Sequence, residues 1–152
     1  MSRVLFVNPP SAIAVYDSSK IRVAITSAPF VTLASLAGAV LASGNEACIA
    51  DLMVETRPFE ALRQRLSEFR PDIVGVTFTT PLWSEARKIA GLVREALPSA
   101  MLVAGGVHAC ALTEEVLRSG YDVVVLGEGE RTIVDLCSGA PLAGIPGLAW
   151  LE

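Results

Sequence analysis

The sequence predicts an α/β fold, a three-layer doubly wound sheet of five parallel strands in the flavodoxin-like order 2-1-3-4-5. Three observations predict it. Five short apolar runs recur along the chain, a helical pattern follows each, and the runs are nearly continuous in apolar residues. Strands covered by helices on both faces read this way, because neither face meets water. Right-handed crossovers then leave few topologies, and the most apolar strands, the first and third, belong at the centre.

Val4 to Val7 is the first strand, ended by Asn8-Pro9-Pro10, where two prolines forbid further ladder pairing. Ser11 to Ala28 is polar in its middle and reads as a loop, long beside the ~2 to 6 residues usual between strand and helix. Phe30 to Ser43 is a helix of small residues with Leu33, Leu36, Ala37, Val40 and Leu41 inward, stopped by Gly44-Asn45. Glu46 to Ala50 is a weaker second strand. Arg57 to Phe69 is an amphipathic helix with Phe59, Leu62 and Leu66 inward, and Pro71-Asp72 precedes the third strand, Ile73 to Val76.

Trp83 to Leu97 is the next helix, stopped by Pro98, and Met101 to Ala104 the fourth strand. Leu112 to Ser119 reads as a short helix with Glu114-Glu115 near its positive end, and Asp122 to Leu126 as the fifth strand. Gly127-Glu128-Gly129-Glu130 opens the last helix, to about Cys137. Residues 1–137 thus form the predicted domain. Residues 138–152 are a tail rich in Gly and Pro with no clear element before Leu148-Ala149-Trp150-Leu151.

The bulk numbers narrow the function. At 152 residues the chain fits one domain, and 52% hydrophobic against 18% charged is apolar beside the ~25% charge of average globular usage. Covered sheet faces and a surface that belongs against a partner both agree with this. A net charge of -4 with scattered Lys and Arg provides no footprint for nucleic acid. No stretch approaches the ~18 to 20 apolar residues of a membrane span. Met1-Ser2-Arg3 leads straight into a strand and not into a signal peptide, and three unpaired cysteines argue against a disulfide framework. A cytoplasmic location is expected.

In this topology ligands bind beyond the C-terminal ends of the strands. Asn8 and Pro9 meet Thr77, Phe78, Thr79 and Thr80 there, with Gly105-Gly106 and Gly127-Glu128-Gly129 continuing the rim. The threonines offer uncharged hydroxyls to a large ligand, or satisfy their own backbone. A glycine pair after a buried strand suggests a shelf where something approaches the backbone, or a tight turn. Widening Gly106 is therefore expected to block a ligand and leave the fold intact. His108, the single histidine, reads as a metal ligand, a contact at a ligand's edge or a packed loop imidazole. Only Cys110 stands near it, which makes a thin metal site.

Glu128 and Glu130 fit capping and dipole chemistry at a helix start. The single GxG follows the fifth strand and no GxxxxGK[ST] occurs, so nucleotide binding is poorly supported. A phosphoacceptor receiver lacks its acidic cluster here, since Asn8-Pro9 and Thr77 hold those places. A small hydrolase lacks a Gly-x-Ser-x-Gly elbow.

Four segments together resemble the N-terminal cobalamin-binding domain of the cobalamin-dependent radical S-adenosylmethionine enzymes, over roughly residues 3 to 151. They are Val4–Pro10, Arg70–Thr77, Gly105–Ala109 and Gly127–Thr132, with Ile145-Pro146-Gly147-Leu148-Ala149 behind them. The resemblance implies a corrinoid over the C-terminal strand edges with its nucleotide tail tucked between them. Asn8 and Pro9 would shape the first loop, and Thr77 and Thr79, within the loop that includes Phe78 and Thr80, would contact the tail or lower corrin face. Gly105 and Gly106 would border the tail, Val107 and His108 lie close by, and Gly127, Glu128 and Gly129 form the adjacent rim. Thr32 and Cys110 stand where a glycine and a threonine are common in the family.

The Asp-x-His-x-x-Gly motif that ligates cobalt in methionine-synthase-like and mutase-like domains is absent, as is normal for the radical enzymes, and the resemblance to them implies cobalamin in its base-off form. Its dimethylbenzimidazole would be displaced with no protein histidine replacing it. No Cys-x-x-x-Cys-x-x-Cys is present either. S-adenosylmethionine and its 4Fe-4S cluster are expected in a radical SAM barrel domain downstream of residue 152, for which this domain would position the corrinoid in methyl transfer or radical chemistry. The alternative is a degenerate domain, closed to the corrin, that serves as an interaction scaffold for the catalytic domain.

Overall fold

A computed structural model of the chain describes residues 1–10 and 31–151. The expected Ser11–Ala28 loop and the first residue of the expected helix at Phe30 lie outside the described residues. The elements in chain order are β1 (Arg3–Asn8), α1 (Val31–Ala42), β2 (Glu46–Asp51), α2 (Pro58–Phe69), β3 (Ile73–Thr77), α3 (Trp83–Ala96) and β4 (Met101–Gly105). They continue with α4 (Val107–Ala111), α5 (Thr113–Arg118), β5 (Val123–Val125), α6 (Glu130–Cys137) and β6 (Leu148–Trp150). Short 3-10 turns at Thr80–Leu82 and Leu142–Gly144 join them.

The strands form one sheet in the order β2-β1-β3-β4-β5-β6, so the predicted parallel order 2-1-3-4-5 is present with one strand added. That sixth strand pairs antiparallel to β5, Val124 opposite Ala149, and comes from the Gly/Pro-rich tail. The chain reaches it through α6 and the 3-10 turn at Leu142–Gly144, and β6 starts at the C-terminal end of β5, Leu148 opposite Val125. The second difference is α4. The stretch after Gly106 winds into a short helix of its own, and the expected helix Leu112 to Ser119 follows it as α5, the two meeting at Leu112.

Side chains alternate across the sheet and build two cores. On one face Leu5, Val74, Leu102 and Val124 pack under α2, α3 and α5. On the other Val4, Phe6, Ile73, Val103 and Val125 pack under α1 and α6. Two aspartates set the ends of the ladder by the same device. Asp72, just before β3, accepts from the Arg3 amide at 2.8 Å, and Asp122, just before β5, accepts from the Leu102 amide at 2.7 Å. Arg94 of α3 ties in the same end, donating to the carbonyls of Gly120 and Ala100 and pairing with Asp122 at 2.7 Å.

Tyr121 sits in the first core with its hydroxyl donating to the Ala86 carbonyl at 2.9 Å. Burial pushes its phenol pKa far above the usual value, so it stays a donor. Tyr121→Phe is expected to lower unfolding stability by about 1 kcal/mol, the worth of one buried hydrogen bond. Urea denaturation checks this, and an unchanged midpoint would show that the bond contributes nothing.

Candidate functional site

An open groove with a cavity volume of about 170 Å³ runs along the C-terminal part of the sheet on the α1/α6 face. Its floor is laid by Phe6 of β1, Gly75 of β3, Val103 of β4 and Val125 of β5, and its walls by Leu33 and Leu36 of α1 and Ile133 of α6. The register explains the hollow. Phe6 pairs with Gly75, Gly75 with Val103, and one step higher Thr77 pairs with Gly105. Both glycines fall on the face turned to α1 and α6, so two adjacent central strands lack a side chain where the others carry one.

The glycines differ in what keeps them. A Cβ on Gly105 would meet nothing within 4 Å, so that position is open space at the groove's lip. A Cβ on Gly75 would lie 3.1 Å from the Phe6 ring. Gly106 stands at φ 96° and ψ 171°, and a Cβ there would lie 2.6 Å from the Phe78 carbonyl oxygen. Gly106 is therefore a backbone requirement. The expectation that it can be widened with the fold intact is corrected, and Gly105 is the position with room.

The mouth of the groove is polar. Thr32 and Thr77 bring hydroxyls, and Gly127, Glu128 and Gly129 form the loop into α6, which Glu130 begins. Gly127 has φ 90°, a conformation open to glycine, and a Cβ on Gly129 would press to 3.0 Å on Leu36 of α1. Ser35 of α1 donates to Glu130 at 2.7 Å across the two walls. That bond, helped by the backbone N–H groups of Glu130 and Gly129, holds the Glu130 carboxyl below its ordinary range. Among the described lining residues none is basic.

Six of the thirteen residues singled out in the sequence thus line the groove: Thr77, Gly105, Gly106, Gly127, Glu128 and Gly129. The others lie around or behind it. Thr79, Thr80 and Val107 are exposed on the upper rim, Val107 at 69%, where Leu126 joins them at 41%. Asn8 is buried at the β1/β2 end and donates to Asp51 at 2.8 Å, and Pro9 beside it is also buried. Phe78 and His108 turn to the opposite face.

His108 is 3% exposed, its ring 5.0 Å from Trp83 and 5.7 Å from Phe78, with Nδ1 3.1 Å from the Thr80 hydroxyl. Its Nε2 is buried with no partner among the described residues. The imidazole does not line the groove. It packs the β3–α3 loop against the start of α4, which the Phe78 amide reinforces by donating to the Gly105 carbonyl at 3.2 Å. No group of three or more His, Cys, Asp or Glu among the described residues is placed to hold a metal ion. Cys137 is half-buried, and burial with the nearby Asp72 charge pushes its thiol pKa up.

Sequence reasoning missed Gly75, Phe6 and the two helix walls. The signal for Gly75 was available, since an isolated glycine inside a strand pattern marks a close approach to the backbone.

No helix among the described residues is long and apolar enough to cross a membrane. Against known proteins, the chain is 34% identical over 137 residues to an anaerobic magnesium-protoporphyrin IX monomethyl ester cyclase of Cereibacter sphaeroides, covering 88% of this chain and 21% of that protein. It is 34% identical over 156 aligned positions to an uncharacterized methyltransferase of Pyrococcus horikoshii, covering 99% of this chain and 33% of the relative. The chain therefore spans between a fifth and a third of these relatives.

Among solved structures, the fold matches the cobalamin-dependent S-adenosylmethionine radical enzyme OxsB with aqua-cobalamin bound. The TM-score is 0.80 at 16% identity, over 100% of this chain and 21% of that one. A cobalamin-binding protein of Desulfitobacterium hafniense matches with a TM-score of 0.61 at 16% identity, over 91% of this chain and 58% of that one. The family model of the B12 binding domain matches residues 26–137, most of the chain and every described lining residue of the groove except Phe6. The chain belongs to the B12 binding domain family.

Proposed function

We propose that this domain binds cobalamin across the C-terminal edge of its sheet and holds it for a radical S-adenosylmethionine domain of a longer protein. The observation that carries the reading is the groove carved by Gly75 and Gly105, which opens beside an exposed rim of mixed apolar and hydroxyl character. An open groove of this kind is the reverse of a rim closed to ligands, and so favours binding over the scaffold role.

In this reading the nucleotide tail lies in the groove. Thr77, Gly105 and Gly106 border it on one side and Gly127, Glu128 and Gly129 on the other. The corrin ring spreads over Thr79, Thr80, Val107 and Leu126. Asn8 and Pro9 shape the neighbouring edge, while Phe78 and His108 support the rim loops from behind. The chain's single histidine is turned away from the groove, which supports a cobalt with no protein histidine and a lower base displaced into the groove. Bound cobalamin would supply a cobalt centre for methyl transfer or a radical step, and the protein positions it and shields its lower face. S-adenosylmethionine and its 4Fe-4S cluster belong to the other domain, for which the greater length of the relatives leaves room.

Reconstitution with hydroxocobalamin is expected to leave close to one corrinoid per chain after gel filtration, read from the corrin visible bands. Complete loss of the corrinoid on the column overturns the proposal.

A further inference from the structure

Resting on the reading that the groove holds the corrinoid's displaced lower base, we infer that the chain selects corrinoids with an apolar benzimidazole base over those with a purine base. The two bases are flat bicycles of similar width, so shape separates them poorly. Their edges differ. A benzimidazole presents carbon and methyl groups along its six-membered ring, whereas adenine presents two ring nitrogens and an amino group.

Among the described residues the groove floor offers no polar side chain to that edge. Its floor side chains are Phe6, Val103 and Val125, its walls Leu33 and Ile133, and all five are less than a tenth exposed. Gly75 adds backbone already engaged in the parallel ladder between β1 and β4. The polar side chains of the lining, Thr32, Thr77, Glu128 and Glu130, belong to the mouth, on the last residue of β3, the first turn of α1, the loop into α6 and the first residue of α6. A purine seated on the floor would leave water-bonded nitrogens unpaired, and a buried unpaired polar group weakens binding by ~10-fold or more. A benzimidazole sheds only apolar surface there.

Three corrinoids test this: cobalamin, its adenine-based counterpart and cobinamide, which has no base. All three are used as dicyano forms, so that the base is off the cobalt throughout and its strength as a ligand does not enter. Equilibrium ultrafiltration with this chain, read by corrin absorbance, is expected to rank cobalamin ~10-fold or more tighter than the adenine form. Equal affinity of the two overturns the selectivity. Equal affinity of all three shows that the tail does not occupy the groove and overturns it too. Binding of none of the three removes the cobalamin reading itself, a result distinct from either. Val103→Thr, which places a hydroxyl on the floor at nearly constant volume, should narrow the ratio between the two bases. If that variant does not fold, the comparison on the unaltered chain still decides.

Discussion

Gly105→Leu is expected to weaken cobalamin binding by ~100-fold, the equivalent of about 3 kcal/mol of overpacking in a filled groove. The side chain would start from a Cβ that meets no atom within 4 Å and project along the face on which Gly75 and Val103 lie. The space it enters is the groove's lip, which the corrinoid tail would pass in the proposed binding mode. The fold should not suffer. Gly105 is a strand residue outside the left-handed region, and replacing a strand glycine removes backbone freedom from the unfolded chain. Thermal unfolding without ligand should therefore match or exceed that of the unaltered chain. Tight binding retained by a folded Gly105→Leu variant would move the ligand out of the groove.

The parts of the fold that were legible in the sequence are those that physics writes locally. Four or five consecutive apolar residues followed by a helical period can only be buried between helix layers, and the strand order followed from asking which runs were most apolar. What escaped was decided by partners far along the chain. Leu148-Ala149-Trp150 shows in the sequence as an apolar element of unassigned type, and it is an added strand because β5 offers it an open edge. The helix from Val107 follows from the turn at Gly106, which redirects the chain into a helical start.

The site divides in the same way. Glycines that follow strands announce themselves, and Gly105 and Gly127–Gly129 were found by that signal. Gly75 was hidden in an apolar strand, and its importance depends on the register that sets it between Phe6 and Val103. His108 could not be placed at all from sequence. Whether a side chain two residues beyond the turn at Gly106 faces ligand or core depends on the dihedral angles at that turn, and here they send it into the aromatic cluster of Phe78 and Trp83.

The second large effect concerns Gly106, adjacent in sequence to Gly105 and opposite in consequence. Gly106→Ala is expected to destabilise the fold by about 3 kcal/mol, before any ligand is considered. At φ 96° and ψ 171° an L side chain is strained wherever it points, and this one would point 2.6 Å from the Phe78 carbonyl oxygen and 3.0 Å from the Thr77 hydroxyl. The Phe78 carbonyl cannot withdraw freely, because Phe78 is held by the hydrogen bond its backbone N–H donates to the Gly105 carbonyl and by ring packing on Trp83 at 5.5 Å. A loss of this size is a large part of the ~5 to 15 kcal/mol that separates folded from unfolded domains. The check is urea unfolding of Gly106→Ala and Gly105→Ala side by side. The first midpoint should drop sharply and the second should hold. Equal midpoints would mean that the β4–α4 turn relaxes around a methyl group, and Gly106 would return to being a ligand shelf, as a glycine pair after a strand first suggests.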